Sequence, residues 1–400
     1  MSQPSAQTGN AEFDADVIVV GGGPVGAVLA LALTQRAPAP LRVTVLEAQE
    51  ASAPRSDTRT LALSHGSRLI LERVGIWQQL QAVTPITRIH ISQRGSFGRA
   101  LLSAAEAGLP ALGYVISYAE LQNTLQAALR ESGAHYVTGA PVTAVLPQAS
   151  AAQVAFTQGA APQSMTARLA VLADGGRSLQ NIPGIVRTSR DYQQSAVVCQ
   201  VRTALPHQNL AYERFTDDGP AALLPSGEDY ALVWTTAPAQ AQALLALSDA
   251  EFLRQLHAHF GDRQGAFLSA GQRHMFALGL QQSKPVTGAR LALIGNAAQM
   301  LHPVAGQGFN MGLRDAWELA QAILACPPQI IGEQAMLQAY AAGRRMDTQG
   351  GVFFTDLLVR GFSNRIAGLR PLRGLALTAL DALPLAKSFV VRRMIFGAKG

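Results

Sequence analysis

The chain has 400 residues, of which 48% are hydrophobic and 14% charged, and its formal net charge is +6. This length favours two or three structural units that share one body, and the apolar fraction is ample for a large core. The lysines and arginines are scattered rather than interleaved with aromatic residues, so the charge does not indicate nucleic acid. An anionic cofactor or a membrane surface fits it equally well.

The small number of cysteines in this chain bears on metal binding and on the cellular compartment. Its two cysteines, Cys199 and Cys326, are too few for a disulfide framework or a zinc site, and they favour a reducing cytoplasm. No apolar run reaches about eighteen residues, the length of a membrane-spanning helix. Residues 1–12 are polar, which favours a disordered tail over a signal peptide. The sequence therefore predicts a cytoplasmic protein without a metal site.

The N-terminal part has the pattern of a dinucleotide-binding fold. Val17 to Val20 forms the apolar run of a buried parallel strand, and the sequence GGGPVG follows it at once. A second predicted strand, residues 42–46, ends about twenty residues further on at an acid, where this fold binds a ribose. The motif does not separate FAD from NAD. The residues assigned to the pyrophosphate turn and the ribose are Gly21, Gly23, Pro24, Gly26 and Glu47.

Short alternating strands in the middle of the chain predict a second, antiparallel unit. Four of them lie within residues 195–235, and a helix is predicted over residues 240–260. Before them, the buried strand Leu169 to Leu172 ends in the sequence ADGGRS. Asp174 and Gly175 in that sequence either form an ordinary turn or contact a nucleotide.

The most informative stretch is LALIGNAAQMLHPVAGQGFNMGLRDAWELAQAIL, residues 291–324. An apolar strand, Leu291 to Ile294, leads into a glycine-rich loop, and a helix is predicted from about Asn310. Glycine lets the backbone approach a ligand closely, and the free N–H groups of a helix N-terminus favour negative charge. The pyrimidine edge of a reduced flavin carries negative charge that these N–H groups would stabilise. An ordinary strand, loop and helix without a ligand would show the same sequence pattern.

The C-terminal end is basic and apolar. Helices are predicted over residues 333–345 and 352–360, and residues 361–400 then carry seven lysines and arginines against one acid, Asp381. Leucine and phenylalanine residues lie between these charges. Such an end either rests on an anionic membrane or a partner, or packs on the body with its arginine stems covering apolar surface.

The stretch 291–324 resembles the second flavin motif of the class A aromatic-ring hydroxylases, the para-hydroxybenzoate hydroxylase class. Within that class it is most similar to the ubiquinone-biosynthesis branch and its polyprenyl-methoxyphenol hydroxylases. The class usually has Gly-Asp at the strand end and Ala-Ala-His after it. This chain has Gly295-Asn296 and Ala297-Ala298-Gln299, which is typical of the methoxyphenol branch. The resemblance implies FAD as cofactor and NAD(P)H as a co-substrate that binds transiently, without a second GxGxxG motif.

The resemblance also implies roles for individual residues. Asn296 stands where the class places an Asp on the ribityl chain, and Asp174 and Gly175 would lie near the FAD ribose and pyrophosphate. Arg59 and Gln122 would contact FAD, although Arg59 follows a possible helix cap at Ser56 or Asp57, and Gln122 also suits a solvated helix face. The loop positions that would contact or serve the isoalloxazine are His302, Pro303, Gly306, Gln307, Gly308 and Asn310. Of these, His302 either assists proton movement or is a structural histidine.

Three functions stay open at this stage. The first is a monooxygenase that uses FAD, NAD(P)H and O2 to hydroxylate a lipophilic polyprenyl phenol, as 2-polyprenyl-6-methoxyphenol, in ubiquinone biosynthesis. That function implies peripheral contact with the inner face of the membrane and with a ubiquinone-biosynthesis protein complex. The second is a hydroxylase of a soluble aromatic acid, for which Arg202 or Arg214 would bind the carboxylate. The third is a flavoprotein scaffold without activity.

The predicted fold is α/β, with a Rossmann-like FAD-binding domain, an inserted antiparallel-sheet substrate domain and a helical C-terminal end. The FAD-binding domain is expected to be discontinuous, over residues 13–76, 101–182 and 276–345. The substrate sheet is expected over residues 77–100 and 183–275, and the C-terminal helices over residues 346–400.

Overall fold

The structure, a computed structural model, describes residues 13–50, 59–159, 161–180, 182–301, 306–362 and 369–399. The strands in these ranges are β1 (Ala15–Val20), β2 (Val43–Leu46), β3 (Thr60–Ser64), β4 (Thr84–Ile86), β5 (Arg88–Gln93), β6 (Arg99–Ser103), β7 (Gly113–Ser117), β8 (His135–Val137), β9 (Val142–Pro147), β10 (Ala152–Gln158), β11 (Ala161–Leu172), β12 (Val186–Thr203), β13 (Leu210–Thr216), β14 (Gly219–Ser226), β15 (Asp229–Thr236), β16 (Phe267–Ala270), β17 (His274–Lys284), β18 (Thr287–Gly288), β19 (Leu291–Leu293) and β20 (Gln299–Met300). The helices are α1 (Pro24–Arg36), α2 (His65–Arg73), α3 (Tyr118–Glu131), α4 (Pro238–Ala246), α5 (Asp249–Phe260), α6 (Gln307–Leu324), α7 (Gln334–Phe362), α8 (Leu369–Ala382) and α9 (Pro384–Phe396).

An eight-stranded sheet holds all the predicted nucleotide motifs. Its main path has the order β18-β19-β11-β1-β2-β8, and β1 pairs in parallel with both β11 and β2. Every residue of β1 is buried, because α-helices cover one face of the sheet and the ribbon of β9 and β10 packs on the other. The carboxyl ends of β1, β11 and β19 therefore lie side by side, and each is followed by one of the glycine motifs.

A nine-stranded sheet forms the second large layer. Its main path has the order β20-β17-β12-β15-β14-β13-β5-β6, and most of its pairs are antiparallel. One face carries the core that α4 and α5 cover. Strand β17 pairs with β12 along most of its length. Through Gln281 and Gln282 it also pairs with β20, which lies next to the second glycine loop, and this pairing links the two sheets. A third sheet has the strand order β3-β7-β4, and its strands fall in the chain between strands of the two larger sheets.

Two helix boundaries differ from the sequence prediction. Helix α6 begins at Gln307, three residues before the predicted start, because Gly306 adopts a left-handed conformation (φ 60°) and acts as its N-cap. The single helix predicted over residues 240–260 is two helices, since Ser248 leaves the helical conformation and its hydroxyl caps α5 at the N–H of Glu251.

The two helices predicted over residues 333–345 and 352–360 are one helix, α7. The gap between the two predicted helices, residues 346–351, contains Gly350 and Gly351. A side chain at Gly350 would overlap the Arg393 guanidinium, and one at Gly351 would overlap the Met311 side chain. The ends of the Arg393 side chain of α9 and the Met311 side chain of α6 lie beside these glycines, and α7 continues through them despite the helix-propensity cost of glycine, about 1 kcal/mol each.

Candidate active site

The glycine turn between β1 and α1 has the geometry of a phosphate-binding loop. Gly21 has a positive φ of 105°, and a side chain at Gly26 would overlap the Gly21 carbonyl oxygen. Nothing lies within 4 Å of the position that a Cβ on Gly23 would take, so the space in front of the turn is open. The N-terminus of α1 faces this space, as the sequence predicted.

Glu47 and Gln122 both reach the backbone of this turn. Gly22 N–H donates to Glu47 Oε2 over 2.8 Å, and Gln122 Nε2 donates to the Gly22 carbonyl over 3.1 Å. Gln122 is fully buried, so the solvated alternative for this residue is wrong. Its Oε1 has no hydrogen-bond partner within the described part of the chain, which leaves a buried acceptor beside the turn.

Asp174 and Gly175 form a tight turn directly after β11. The Asp174 carboxylate accepts hydrogen bonds from the N–H groups of Gly176 and Ser178, at 2.9 and 2.7 Å, and so closes the turn itself. The sequence missed Arg187, which comes from β12. Its guanidinium donates to the carbonyl oxygens of Gly175 and Asn296, at 3.2 and 3.3 Å, and ties this turn to the second glycine loop.

The second glycine loop lies against the first. Gly295 has a φ of 58°, and a Cβ on it would lie 3.2 Å from the Val25 side chain in the GGGPVG turn. A Cβ on Gly312, one turn into α6, would lie 3.0 Å from the same side chain. The second glycine motif therefore packs directly on the Val25 side chain of the first, which brings the two motifs close enough to serve a single ligand.

Asn310 holds the start of α6 in place. Its Oδ1 accepts from Ser64 N–H over 2.8 Å and from the Ser67 hydroxyl over 2.6 Å. Its Nδ2 donates to the carbonyls of Ala62 and Gly306, at 3.0 and 2.6 Å. All of its amide groups are thus used within the protein, and what the first turn of α6 offers a ligand here is backbone N–H.

A buried ion network that the sequence analysis did not anticipate lies behind the same loop. Asp315 on α6 accepts from Gly295 N–H over 3.1 Å and from Gln299 Nε2 over 2.7 Å. Its other oxygen pairs with Arg344 of α7 at 2.6 Å, and Arg344 also contacts Asp347 at 2.7 Å. Little in the sequence indicates this network, because an Asp and an Arg that lie 29 residues apart on two helices form no recognisable motif.

The remaining predicted residues are placed as follows. Gly308 and Asn296 line a large cavity, whereas Gln307 is buried and its amide donates to the Met394 carbonyl of α9 over 3.3 Å. The Arg59 guanidinium stacks over the Tyr118 ring, 4.7 Å from its centroid, and also lines the cavity. His302 and Pro303 lie outside the described residues, as do Ser56 and Asp57.

The cavity has a volume of about 570 Å³, within the range of about 300–1,000 Å³ that is usual for small-molecule sites. It extends from the second glycine loop across one face of the nine-stranded sheet to the C-terminal helices. Among its described lining residues, only Arg59 and Glu213 are charged. The sheet contributes Ile89, Ile91, Ala211, Phe215, Pro220, Ala222, Leu224 and Val233, and the helices contribute Phe354, Leu358, Phe362, Ala376, Leu377, Leu380, Val390 and Met394.

These features fit a dinucleotide with a flat ring. The open cradle at Gly23 offers space and backbone N–H groups for a pyrophosphate, and the buried, unpartnered Gln122 Oε1 offers an acceptor for a ribose hydroxyl. The start of α6 lies at the edge of the cavity, where a ring would meet a substrate. A flavin bound there would supply oxygen activation and transfer.

The family comparison identifies this ligand. Residues 14–352 match the model of the FAD-binding domain family. The chain is 35% identical over 397 residues to ubiquinone hydroxylase UbiL of Rhodospirillum rubrum, covering 97% of this chain and 91% of that protein. It is 31% identical to 3-demethoxyubiquinol 3-hydroxylase of Escherichia coli, covering 93% of this chain and 96% of that protein.

A solved structure shows the same fold at low identity. p-Nitrophenol 4-monooxygenase of Pseudomonas putida superimposes with a TM-score of 0.77 at 18% identity, covering 96% of this chain and 98% of that one. The sequence predictions of an FAD-dependent hydroxylase and of NAD(P)H as its reductant are confirmed at the level of the family. The chain belongs to the FAD-binding domain family of flavin-dependent monooxygenases, together with the ubiquinone hydroxylases.

Proposed function

We propose that this enzyme hydroxylates the aromatic ring of a polyprenyl phenol in ubiquinone biosynthesis, with 2-polyprenyl-6-methoxyphenol as its substrate. The apolar cavity that joins the second glycine loop to the C-terminal helices carries this proposal. A ring at the loop and an isoprenoid chain against the phenylalanine and leucine side chains of α7 and α8 would both be buried. The names of the relatives, which are ubiquinone hydroxylases, support the same substrate class.

The alternative of a soluble aromatic acid finds less support in the cavity. Arg202 is exposed and pairs with Asp229 at 2.9 Å, and neither it nor Arg214 lines the cavity. The cavity instead contains the Glu213 carboxyl, which would repel a carboxylate. A neutral, apolar phenol suits these walls better than an anion does.

We propose a division of labour between the sheets. The eight-stranded sheet would hold FAD, with Gly21 and Gly23 at the pyrophosphate, Glu47 and Gln122 at ribose hydroxyls and the first turn of α6 at the pyrimidine edge. The nine-stranded sheet would present the substrate. The backbone N–H groups of α6 would stabilise negative charge on the ring edge, and the apolar walls would keep water from the reacting atoms.

We also propose that the C-terminal helices rest on an anionic membrane surface. Each of the three helices has apolar residues on its cavity side and on its outer side. On the outside, Leu385 and Phe389 of α9 are 89% and 71% exposed, and Arg392, one turn further along, is also exposed. A lipid substrate would then enter from the bilayer through a wall that is one helix thick.

The helices do not indicate a membrane span. Within the described residues, no helix taken alone is both long and apolar enough to cross a bilayer. The pair Pro371–Ala382 and Pro384–Phe396 satisfies that test only when its members are counted together, and they meet at 95°.

The proposed activity can be tested with the purified protein. A visible spectrum of bound flavin should be present, and 2-prenyl-6-methoxyphenol should stimulate NAD(P)H and oxygen consumption and gain one oxygen atom by mass spectrometry. The control substrate is para-hydroxybenzoate, which we expect to leave both rates unchanged. Hydroxylation of para-hydroxybenzoate alone would favour the soluble-acid function, and no substrate-dependent consumption with either would favour the scaffold. In the host, deletion of the gene should cause a prenylated phenol precursor to accumulate.

A further inference from the structure

Glu213 is an unusual residue in the substrate cavity. It lies on β13, two residues after Ala211 and two residues before Phe215, which line the same wall of the cavity. Its partners on the neighbouring strands are Ala222 of β14 and Ile91 of β5, which also line the cavity. All four neighbours are apolar. Within the described residues, Glu213 has no hydrogen-bond or ion-pair partner, and no nearby charge alters its pKa. A carboxyl in such a place destabilises the fold, so its presence points to a ligand.

We propose that Glu213 is the residue that receives the phenol hydroxyl of the substrate. This inference rests on the proposed function, because it needs a phenol in this cavity. The carboxylate would accept a hydrogen bond from the phenol O–H and orient the ring within the cavity. In the same contact the phenol proton can pass to a Glu213 oxygen, breaking the O–H bond and leaving its electron pair on the phenolate oxygen, which makes the ring more nucleophilic.

The state of Glu213 suits this task. Burial raises the pKa of Glu213 to about 7, so the carboxyl is a stronger base than an exposed one and still ionises near neutral pH. The other ionisable side chains that line the cavity are Arg59 and Tyr118 at the flavin end. The Tyr212 side chain, next to Glu213 in the strand, packs on the opposite face of the sheet with His90 and Tyr230. The described lining residues of α7, α8 and α9 are all apolar, so none of them brings a charge towards Glu213.

The test compares two ligands that differ in one hydroxyl. These are 2-prenyl-6-methoxyphenol and 1-methoxy-3-prenylbenzene, the same ring without its hydroxyl. Dissociation constants are measured on the FAD-loaded enzyme without NAD(P)H, by calorimetry or by the change in the flavin spectrum, between pH 5 and pH 9. The variants are Glu213→Leu and Glu213→Gln, and the matched control is Glu228→Gln, an exposed glutamate on the turn of the same sheet.

The wild-type enzyme should prefer the phenol by roughly ten- to a hundredfold at pH 8, the range for a hydrogen bond to a charged group. The preference should fall as the pH drops below about 7, because a protonated Glu213 is a weaker acceptor. Glu213→Leu should bind both ligands about equally at every pH. Glu213→Gln should keep a small preference that no longer depends on pH, and Glu228→Gln should behave as the wild type.

Retention of the wild-type preference and its pH dependence in Glu213→Leu or Glu213→Gln would overturn the assignment. In that case the wild-type enzyme would still hydroxylate the phenol, and the proposed function would stand. If instead the wild-type enzyme neither binds nor hydroxylates the phenol, the proposed function fails and takes this inference with it.

Discussion

Several polar residues of the candidate site hold the backbone rather than present their side chains to a ligand. The Asn310 amide is fully occupied by groups of β3, α2 and the loop, and the Asp174 carboxylate closes its own turn. The sequence, through its resemblance, predicted both as cofactor contacts, and for both that stays a prediction. Side-chain substitution at such positions reports on loop geometry as much as on ligand contact.

Gly308 offers a graded test of the flavin cradle. A Cβ on Gly308 would lie 3.8 Å from Leu301, an ordinary contact, so Gly308→Ala should keep FAD. Because Gly308 lines the cavity, the longer side chain of Gly308→Leu would enter it, and we expect loss of bound FAD or of its reduction by NAD(P)H. Visible absorbance of the purified proteins measures the first and anaerobic reduction the second. A normal spectrum and turnover in Gly308→Leu would contradict the placement of the flavin.

Glu213 also predicts how stability depends on pH. Its pKa is about 7 in the folded protein and about 4.3 in an unfolded chain, so between these values the folded state holds a proton that the unfolded state has lost. The free energy of unfolding therefore falls as the pH rises through this window. Glu213→Gln removes the effect, which is on the order of 4 kcal/mol at most. Thermal unfolding should show the variant more stable than wild type at pH 8 and nearly equal at pH 4.5. Equal midpoints at both pH values would contradict the raised pKa.

At the scale of elements, the ion network joins α6 and α7 behind the glycine loop. Asp315 and Arg344 are each only 2% exposed, and through Asp315 the network holds Gly295 and Gln299. The network therefore couples the packing of α7 to the shape of the predicted flavin site. Buried pairs of this kind are retained for geometry as much as for stability.

Removing one partner of this network should be costly. Arg344→Met leaves the Asp315 carboxylate buried without its cation, and we expect a loss of about 3–5 kcal/mol in unfolding free energy together with weaker FAD binding. Denaturant unfolding and retained flavin absorbance measure the two effects. Arg345→Met, on the exposed side of the same helix, is the control and should change neither. The double variant Asp315→Asn, Arg344→Met should recover part of the stability, and its failure to do so would argue against an uncompensated charge as the cause.

At the scale of the whole molecule, the C-terminal helices complete the cavity. Leu377, Val391 and Ile395 are buried, and α9 packs against α2 and Gln307. Deleting residues 361–400 would therefore open the cavity as well as remove a membrane surface. Point substitutions on the outer side of the helices are the cleaner test of membrane contact.

We expect Leu385→Glu and Phe389→Glu to weaken sedimentation with vesicles that contain phosphatidylglycerol. Each side chain would contribute about 1.5–3 kcal/mol when buried in lipid, so each variant should lower partitioning by roughly tenfold or more. Bound FAD should be unchanged, because neither residue lines the cavity. Leu268→Glu, an exposed leucine on β16 in the other sheet, is the control. Sedimentation of both α9 variants as wild type would leave only a packing role for these helices.

The sequence predicted individual strands and helices where the residues that determine them lie close together in the chain. The buried strand before GGGPVG, the acid at Glu47 and the helix after the second glycine loop each follow from patterns of fewer than about 35 residues. The predicted helix ends are wrong where a single residue decides them, as at Gly306 and Ser248, and the predicted gap at residues 346–351 is wrong because α7 continues through it. Arg187 and Arg344 escaped notice because their partners are far away in the chain, and Glu213 because the apolar residues around it come from distant segments.

The chemistry of the ligand site, glycine where backbone must come close and free N–H groups where negative charge must lie, was thus determined by the sequence itself. Only the tertiary structure decided that Val25 of the first glycine motif packs against the second, that the cavity beyond them is apolar, and that Glu213 has no ion-pair partner among the described residues of its wall. The physical reason is that φ preferences and strand patterns are properties of short segments. Which side chains share a cavity depends instead on how distant segments pack.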